Sequence, residues 1–301
     1  MAEAQRQGKL VICPTPIGNL GDMTQRAIDA LAGADTVCAE DTRVTGKLLA
    51  AFGVSKKLER LDEAMIGGRA EAVVNRVLAG EVIAYCSDAG MPGVSDPGLR
   101  LVDAALDAGA RVEVLPGPTA AATAYVASGF GCPRFYFHGF FPRKAVEQAK
   151  LLETLRALDA CLVFYESPNR LVAALDALAH AYPARRVCVC RELTKLHEEV
   201  LRGTAKEVHA AFAQRANEEG GIKGEIVLVV ESPTREEQQM QAEDAAQDAA
   251  ALAATLCAEG MRAKAVAKEL ARQLGIPRNE AYDLALTAQH AAAGASSEEG
   301  A

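Results

Sequence analysis

The residues best suited to chemistry in this chain lie in three turns rich in glycine and proline. The segment "SDAGMPGVSDPG" (87 to 98) directly follows the apolar run "EVIAYC" (81 to 86) and carries Asp88 and Asp96 among its glycines. A glycine-rich loop at the carboxyl end of a strand lets backbone N–H groups approach a ligand, because no Cβ stands in the way. The spacing is neither the dinucleotide fingerprint nor a phosphate loop, since no glycine-lysine-Ser/Thr follows. Its carboxylates would repel phosphate and suit a ligand with amines, hydroxyls or a positive centre. The segments "CPTPIGNLGDMT" (13 to 24) and "PGPTAAATA" (116 to 124) likewise follow strand patterns and open helices. Three such turns at one sheet edge define a small-molecule site of the kind open α/β sheets carry.

Proton transfer has several candidates. "AEDTR" (39 to 43) places Glu40, Asp41 and Arg43 at a strand end, where a carboxylate could take a proton and the guanidinium could grip a phosphate. Asp41 also reads as a cap for the helix that follows. Glu166 and Lys195 are further candidates, with an interdomain ion pair as the alternative. The cations Arg134, Arg143 and Lys144, then Arg170, then Arg185, Arg186, Arg191 and Lys195 form local clusters, and Phe140 and Phe141 beside Arg143 could stack on an unpaired base. Lys264, Lys268 and Arg272 recur at four-residue spacing and share one helix face. Each cluster fits either a polyanion-binding surface or a solvated face. Of the eight cysteines, Cys13, Cys38, Cys86, Cys161, Cys188 and Cys190 sit in apolar strand-like runs. With no CxxC pair and no histidine at ligand spacing, they read as reduced core residues, and no metal site is expected.

The elements that position these residues follow from periodicity. Short runs at 9 to 13, 36 to 39, 81 to 86 and 111 to 116 alternate with helical patterns at 24 to 33, 43 to 52, 68 to 79 and 98 to 109, the grammar of a parallel α/β sheet. From "RFYFHGF" (134 to 140) through "GEIVLVV" (224 to 230), several strands follow one another without a helix, which predicts a mixed sheet. The expected division is an α/β domain over 1 to 116 and a second α/β domain over 117 to 231. A helical domain over 235 to 290 follows, ending in a helix, "GIP" break, helix hairpin from 262, and an unstructured tail covers 291 to 301. The hairpin has helix-turn-helix spacing and equally reads as a packing element. The 301 residues carry a net charge of −8, of which −6 falls on residues 231 to 301 with 12 acidic and 6 basic side chains. Any basic face must therefore be local. With no run near the roughly 20 apolar residues of a membrane helix and no apolar leader in "MAEAQRQGKL", a cytoplasmic, non-membrane protein is expected.

Taken together, "PTPIGNLGDMTQRA", "AEDTR", "SDAGMPGVSDPG", "LPGPTAA", "GFFPRK", "FYESPNRL", "RELTK" and "KGEIVLVVE" resemble the tetrapyrrole methylase superfamily, and closely its ribosomal RNA small-subunit methyltransferase I branch, over residues 9 to 290. The resemblance implies a two-domain α/β enzyme that binds S-adenosylmethionine between its domains and methylates the 2′-hydroxyl of a cytidine in 16S rRNA. The substrate would be the RNA or the assembled small subunit, and the enzyme a homodimer. It implies cofactor contacts from Asp88, Ala89, Gly90 and Met91, from Thr119 and Ala120, from Tyr165 and Leu193, and from Gly224 and Glu225. Asp41 aligns with the superfamily's proposed proton acceptor, with Glu166 and Lys195 in reserve, and Arg43, Arg143, Arg170, Lys264, Lys268 and Arg272 would meet RNA. Two departures stand out: residues 61 to 69 read "LDEAMIGGR" where relatives carry a histidine-asparagine-glutamate run, and Met91 replaces a usual threonine. The rival readings are a small-molecule tetrapyrrole methyltransferase on the same scaffold and a non-catalytic, cofactor-sensing RNA-binding protein.

Overall fold

The structure is a computed structural model that describes residues 7–218 and 221–298. The chain divides into two compact units, Met1–Ser232 and Pro233–Ala301.

The first unit holds two five-stranded sheets. Strands β1 (Lys9–Ile12), β2 (Thr36–Ala39), β3 (Leu58–Arg60), β4 (Val82–Cys86) and β5 (Val112–Val114) pair in parallel in the order β3-β2-β4-β1-β5. Every residue of β2 and β4 is buried, as the continuous apolar runs require of strands covered on both faces. Helices α1 (Gln25–Gly33) and α2 (Thr42–Ala51) cover one face through Ala27, Leu31 and Leu49. Helices α3 (Glu63–Leu78) and α4 (Gly98–Asp107) cover the other through Ile66, Val73, Val77 and Leu101. β1 and β4 are neighbours whose connections leave toward opposite sheet edges, one to β2 and one to β5. This is a topological switch point, and the loops beyond these two strands frame a crevice.

Sequence periodicity does not reveal β3, because its three residues, Leu-Glu-Arg, form a half-exposed edge strand with a single apolar side chain. Helix α3 also begins earlier than the expected 68. The Asp62 carboxylate accepts from the Met65 N–H and caps the helix before the Gly67–Gly68 pair, and a Cβ at either glycine would meet nothing within 4 Å.

In the second sheet, β6 (Phe135–Phe140), β7 (Cys161–Glu166), β8 (Arg186–Arg191), β9 (Glu199–Thr204) and β10 (Ile226–Val230) take the order β6-β7-β10-β8-β9. β6 and β7 are parallel and the remaining pairs antiparallel, so the sheet is mixed. Helices α6 (Ala145–Leu155), α7 (Leu171–Ala181) and α8 (Ala205–Ala216) bury Leu152, Leu175, Leu178 and Phe212 on one face. The other face receives α5 (Ala120–Ser128) through Ala121 and Ala124, and Ile17 from the loop after β1, so a loop of the first sheet packs on the second. Phe141 is 1% exposed within the second sheet's core, so it stacks on no RNA base, and Arg185 is 0% exposed with its guanidinium over the Tyr182 ring. Each lies just outside a strand, after β6 and before β8, where tertiary packing turns the side chain inward and composition does not reveal it. The six cysteines of the apolar runs are buried and form no disulfide, and burial pushes the Cys13 and Cys38 thiols up to about 12.

The second unit contains α9 (Arg235–Ala258), α10 (Ala263–Leu274) and α11 (Arg278–Glu298) around Ala253, Val266, Leu270, Ala281 and Ala285. Thr234 and Glu237 form a reciprocal capping box at the start of α9. Gly275, with φ of 67°, ends α10 in the left-handed conformation just before Pro277. The hairpin thus packs against a third helix. α11 continues through Glu298, past the expected tail boundary at 290, because the alanine-rich stretch contains no proline to stop it. Residues 299 to 301 lie outside the described residues.

Candidate active site

The crevice at the switch point is closed by backbone. The Thr15 N–H donates to the Gly90 carbonyl at 2.9 Å and the Gly90 N–H to the Thr15 carbonyl at 3.1 Å, which pins the loop after β1 to the loop after β4. Gly90 has φ of 81°, and a Cβ there would lie 3.3 Å from Ile17 Cγ2. Both the conformation and the space call for glycine. Asp96 shapes the rest of the loop, its Oδ1 accepting from the Gly93 and Gly98 N–H groups at 2.7 and 2.8 Å. At the third turn, a Cβ on Gly117 would fall 2.3 Å from Pro14 Cγ, so this turn and the first approach closely.

These loops and the ends of the mixed sheet enclose a cavity of about 440 Å³. Asp88, Ala89, Gly90 and Met91 line it from the loop after β4, and Thr119 and Ala120 from the start of α5. Tyr165, Leu193, Gly224 and Glu225 line it from the second sheet. The structure therefore brings all the residues expected to hold the cofactor to one cavity.

The three proton-transfer candidates separate. Glu166 lines the cavity, is 4% exposed, and pairs with Arg170 at 2.5 Å while accepting from the Ser167 N–H at 2.6 Å. Asp41 is absent from the cavity wall and caps α2. Its carboxylate accepts from the Arg43 N–H at 2.8 Å and from the Arg43 guanidinium at 3.1 and 2.6 Å. The Arg43 guanidinium and N–H hold Asp41 well below the usual carboxylate range. Lys195 is also outside the wall, with Nζ 2.8 Å from Glu192 and 2.9 Å from Glu225. Burial opposes its charge, but the two glutamates outweigh burial and raise its pKa, so it is a held cation.

Glu40, one residue from Asp41, does line the cavity. Burial pushes its pKa up, the Asp88 charge adds to the rise, and the Asp88 N–H donates to it in partial compensation. Asp88 is itself raised, first by burial and then by the Asp41 charge, although its Oδ1 accepts from the Asp41 N–H at 3.0 Å. Two under-compensated carboxylates thus face one space. Sequence inspection could narrow the choice only to the pair, because adjacent residues leaving a strand point to opposite sides.

The RNA candidates also differ in their partners. Arg43 is engaged by Asp41, Arg170 by Glu166 and Arg272 by Glu269. Arg134, Arg186 and Arg191 pair with Asp159, Glu231 and Glu199. Arg143, Lys264 and Lys268 are exposed and form no ion pair among the described residues. Phe140, 60% exposed, lines the cavity edge-on to Tyr165.

The cavity suits S-adenosylmethionine. Its carboxylates offer partners for an amine, ribose hydroxyls and a sulfonium, and Ile17, Leu193 and Val227 offer apolar surface. Ser87 and Asp88, at the end of β4, also lie in its wall.

Residues 9–209 match the tetrapyrrole (corrin/porphyrin) methylases, and the chain belongs to this family of methyltransferases, whose methyl donor is S-adenosylmethionine. The chain is 39% identical over 279 residues to the ribosomal RNA small subunit methyltransferase I of Halalkalibacterium halodurans, covering 92% of this chain and 94% of that one. To the protein of the same name from Escherichia coli O157:H7 it is 40% identical over 284 residues, covering 94% and 96%. Among solved structures, diphthine synthase superposes with a TM-score of 0.58 at 12% identity over 77% of this chain and 93% of its own. Cobalt precorrin-4 methyltransferase superposes at 0.56 with 16% identity over 76% and 97%. These two likenesses establish the fold. No helix among the described residues is long and apolar enough to cross a membrane, and no cluster of three metal-ligating side chains occurs among them.

Proposed function

We propose that this protein transfers a methyl group to the 2′-hydroxyl of a cytidine in 16S rRNA, acting on the RNA or the small ribosomal subunit in the bacterial cytoplasm. The observation that carries this is the identity of about 40% with proteins named ribosomal RNA small subunit methyltransferase I, which spans 94% of the chain and so includes the helical unit as well as the methylase core.

S-adenosylmethionine, when bound, supplies an electrophilic methyl group on a sulfonium. The chain's own residues do the rest. The Thr15–Gly90 bridge and the Asp96 carboxylate pin the loop, so that positioning, which can supply a large share of the rate in an in-line displacement, is built into backbone. A ribose hydroxyl attacks poorly until its proton is drawn away. Glu40 is the proton acceptor in this proposal, since it lines the cavity and its raised pKa makes it the stronger base. Asp41 holds Arg43 for an RNA phosphate and caps α2. Glu166 and Arg170 fix the turn after β7. Homodimer formation is part of the proposal, supported by the edge strand β6 with Phe135 and Tyr136 exposed and by Val126, 74% exposed, on α5.

The test is methyl transfer from labelled S-adenosylmethionine to small subunits from a strain lacking this modification, with the product nucleoside identified by mass spectrometry. A single ribose-methylated cytidine is expected. Base methylation, or transfer to porphyrinoids with none to subunits, would refute the assignment. Sedimentation velocity tests the dimer.

A further inference from the structure

A second cavity of about 330 Å³ lies beside the first, lined by the loop after β1 and by α2. The two share Ser87 and Asp88 and therefore meet at the end of β4. In the wall of the second cavity, the Thr45 and Ser87 hydroxyls are buried and have no hydrogen-bond partner, the residues being 1% and 2% exposed. Buried hydroxyls nearly always find partners, so two in one wall point to a ligand that supplies them. Leu20 and Val44, 50% and 43% exposed, present apolar surface to the same space, and the exposed Lys47 lines it as well. Apolar faces, hydrogen-bonding edges and an attached anion describe a nucleotide.

We propose that this cavity seats the acceptor, as a single pyrimidine nucleotide turned out of the RNA stack. Its base lies against Leu20 and Val44 with its polar edge on Thr45 and Ser87, its phosphate meets Lys47, and its ribose lies at the Asp88 seam facing the donor cavity. The assignment rests on the RNA-methylation reading. Enzymes that act on one nucleotide commonly extrude it into such a pocket. A site built to hydrogen-bond its substrate also rejects rings that leave those hydroxyls unpaired.

Thr45→Val keeps the shape and removes one hydroxyl. Because that hydroxyl has no partner in the free protein, the melting temperature should stay level or rise. The KM for undermodified subunits should rise about tenfold, the loss expected of one hydrogen bond, while the Kd for S-adenosylmethionine stays the same. Thr45→Leu fills the space. In ligand-observed NMR on protein saturated with S-adenosylmethionine, cytidine 5′-monophosphate should bind the wild type, bind Thr45→Val more weakly, and fail to bind Thr45→Leu. Weakened S-adenosylmethionine binding in either variant would give the cavity to the donor and overturn the proposal. Unchanged KM and unchanged nucleotide binding would overturn it too. If the wild type methylated no RNA, the nucleotide titration would still decide: binding lost in Thr45→Leu supports the subsite, and no binding to the wild type sinks it.

Discussion

The two walls of the donor cavity both carry carboxylates and treat them in opposite ways. On the mixed-sheet wall, Glu166 is matched by Arg170, and Glu225 is matched by Lys195, which also holds Glu192. On the parallel-sheet wall, Glu40 and Asp88 face the cavity with no ion pair among the described residues, and burial raises both. Matched charges hold geometry, and unmatched ones are poised to bind a cation or take a proton. In the proposed mechanism the chemistry therefore sits at the strand ends of the parallel sheet, with the mixed sheet as the opposing wall.

The largest effect expected from this contrast is at Glu40. Glu40→Gln should lower the single-turnover rate roughly 100- to 10,000-fold, and Asp41→Asn should change it far less. The rate of the wild type should rise with pH along a limb that lies above the ordinary glutamate value of 4.5, because the basic form fills only past the raised pKa. Glu40→Gln should abolish that limb. A carboxyl whose pKa is raised by folding loses stability as pH rises through it, so Glu40→Gln should be at least as stable as the wild type at neutral pH. Thermal unfolding at pH 5 and pH 8 checks the sign. An equal rate loss in Asp41→Asn would return the proton to that residue and break the contrast.

Next in size is Gly90→Val. A β-branched residue at φ of 81° beside Ile17 strains the loop. That strain, about 1–3 kcal/mol, should weaken S-adenosylmethionine binding on the order of 10- to 100-fold by calorimetry. Unchanged affinity would remove this loop from the donor site.

A smaller effect is expected in the helical unit, where the same distinction between matched and open charge applies. Neutralising Lys264, Lys268 and Arg272 together should weaken subunit binding and flatten its salt dependence. Each phosphate that the variant leaves unneutralised takes roughly 0.7–0.9 off the slope. Since Glu269 already pairs with Arg272, the flattening should match two phosphates more nearly than three. A salt slope identical to the wild type would make α10 a packing element and leave Arg143 as the open cation to test.

The smallest belongs to the matched wall. Lys195→Met removes partly exposed ion pairs, which contribute about 0–1 kcal/mol, so turnover should change only a few-fold. A collapse comparable to that of Glu40→Gln would show that this wall, too, does chemistry.

Much of this was legible in the residues. The alternation of apolar runs with helical stretches predicts the parallel sheet, the bare strand succession predicts the mixed one, and the Gly/Pro turns mark the cavity loops. Each of these signals is local: a strand buried on both faces must be apolar throughout, and a left-handed backbone such as that of Gly90 needs glycine. The cap at Thr234 and the break at Gly275 and Pro277 are local in the same sense. What only tertiary structure decided is direction and partnership. Glu40 and Asp41 are neighbours of the same chemical type, yet one lines the cavity and the other is held by Arg43, because strand β2 delivers their side chains to different surroundings. Arg185, Arg143 and Lys264 are all simply cations in the sequence, and packing alone buries the first and leaves the others open. Charge is a property of a residue, but its balance depends on groups brought near from distant parts of the chain.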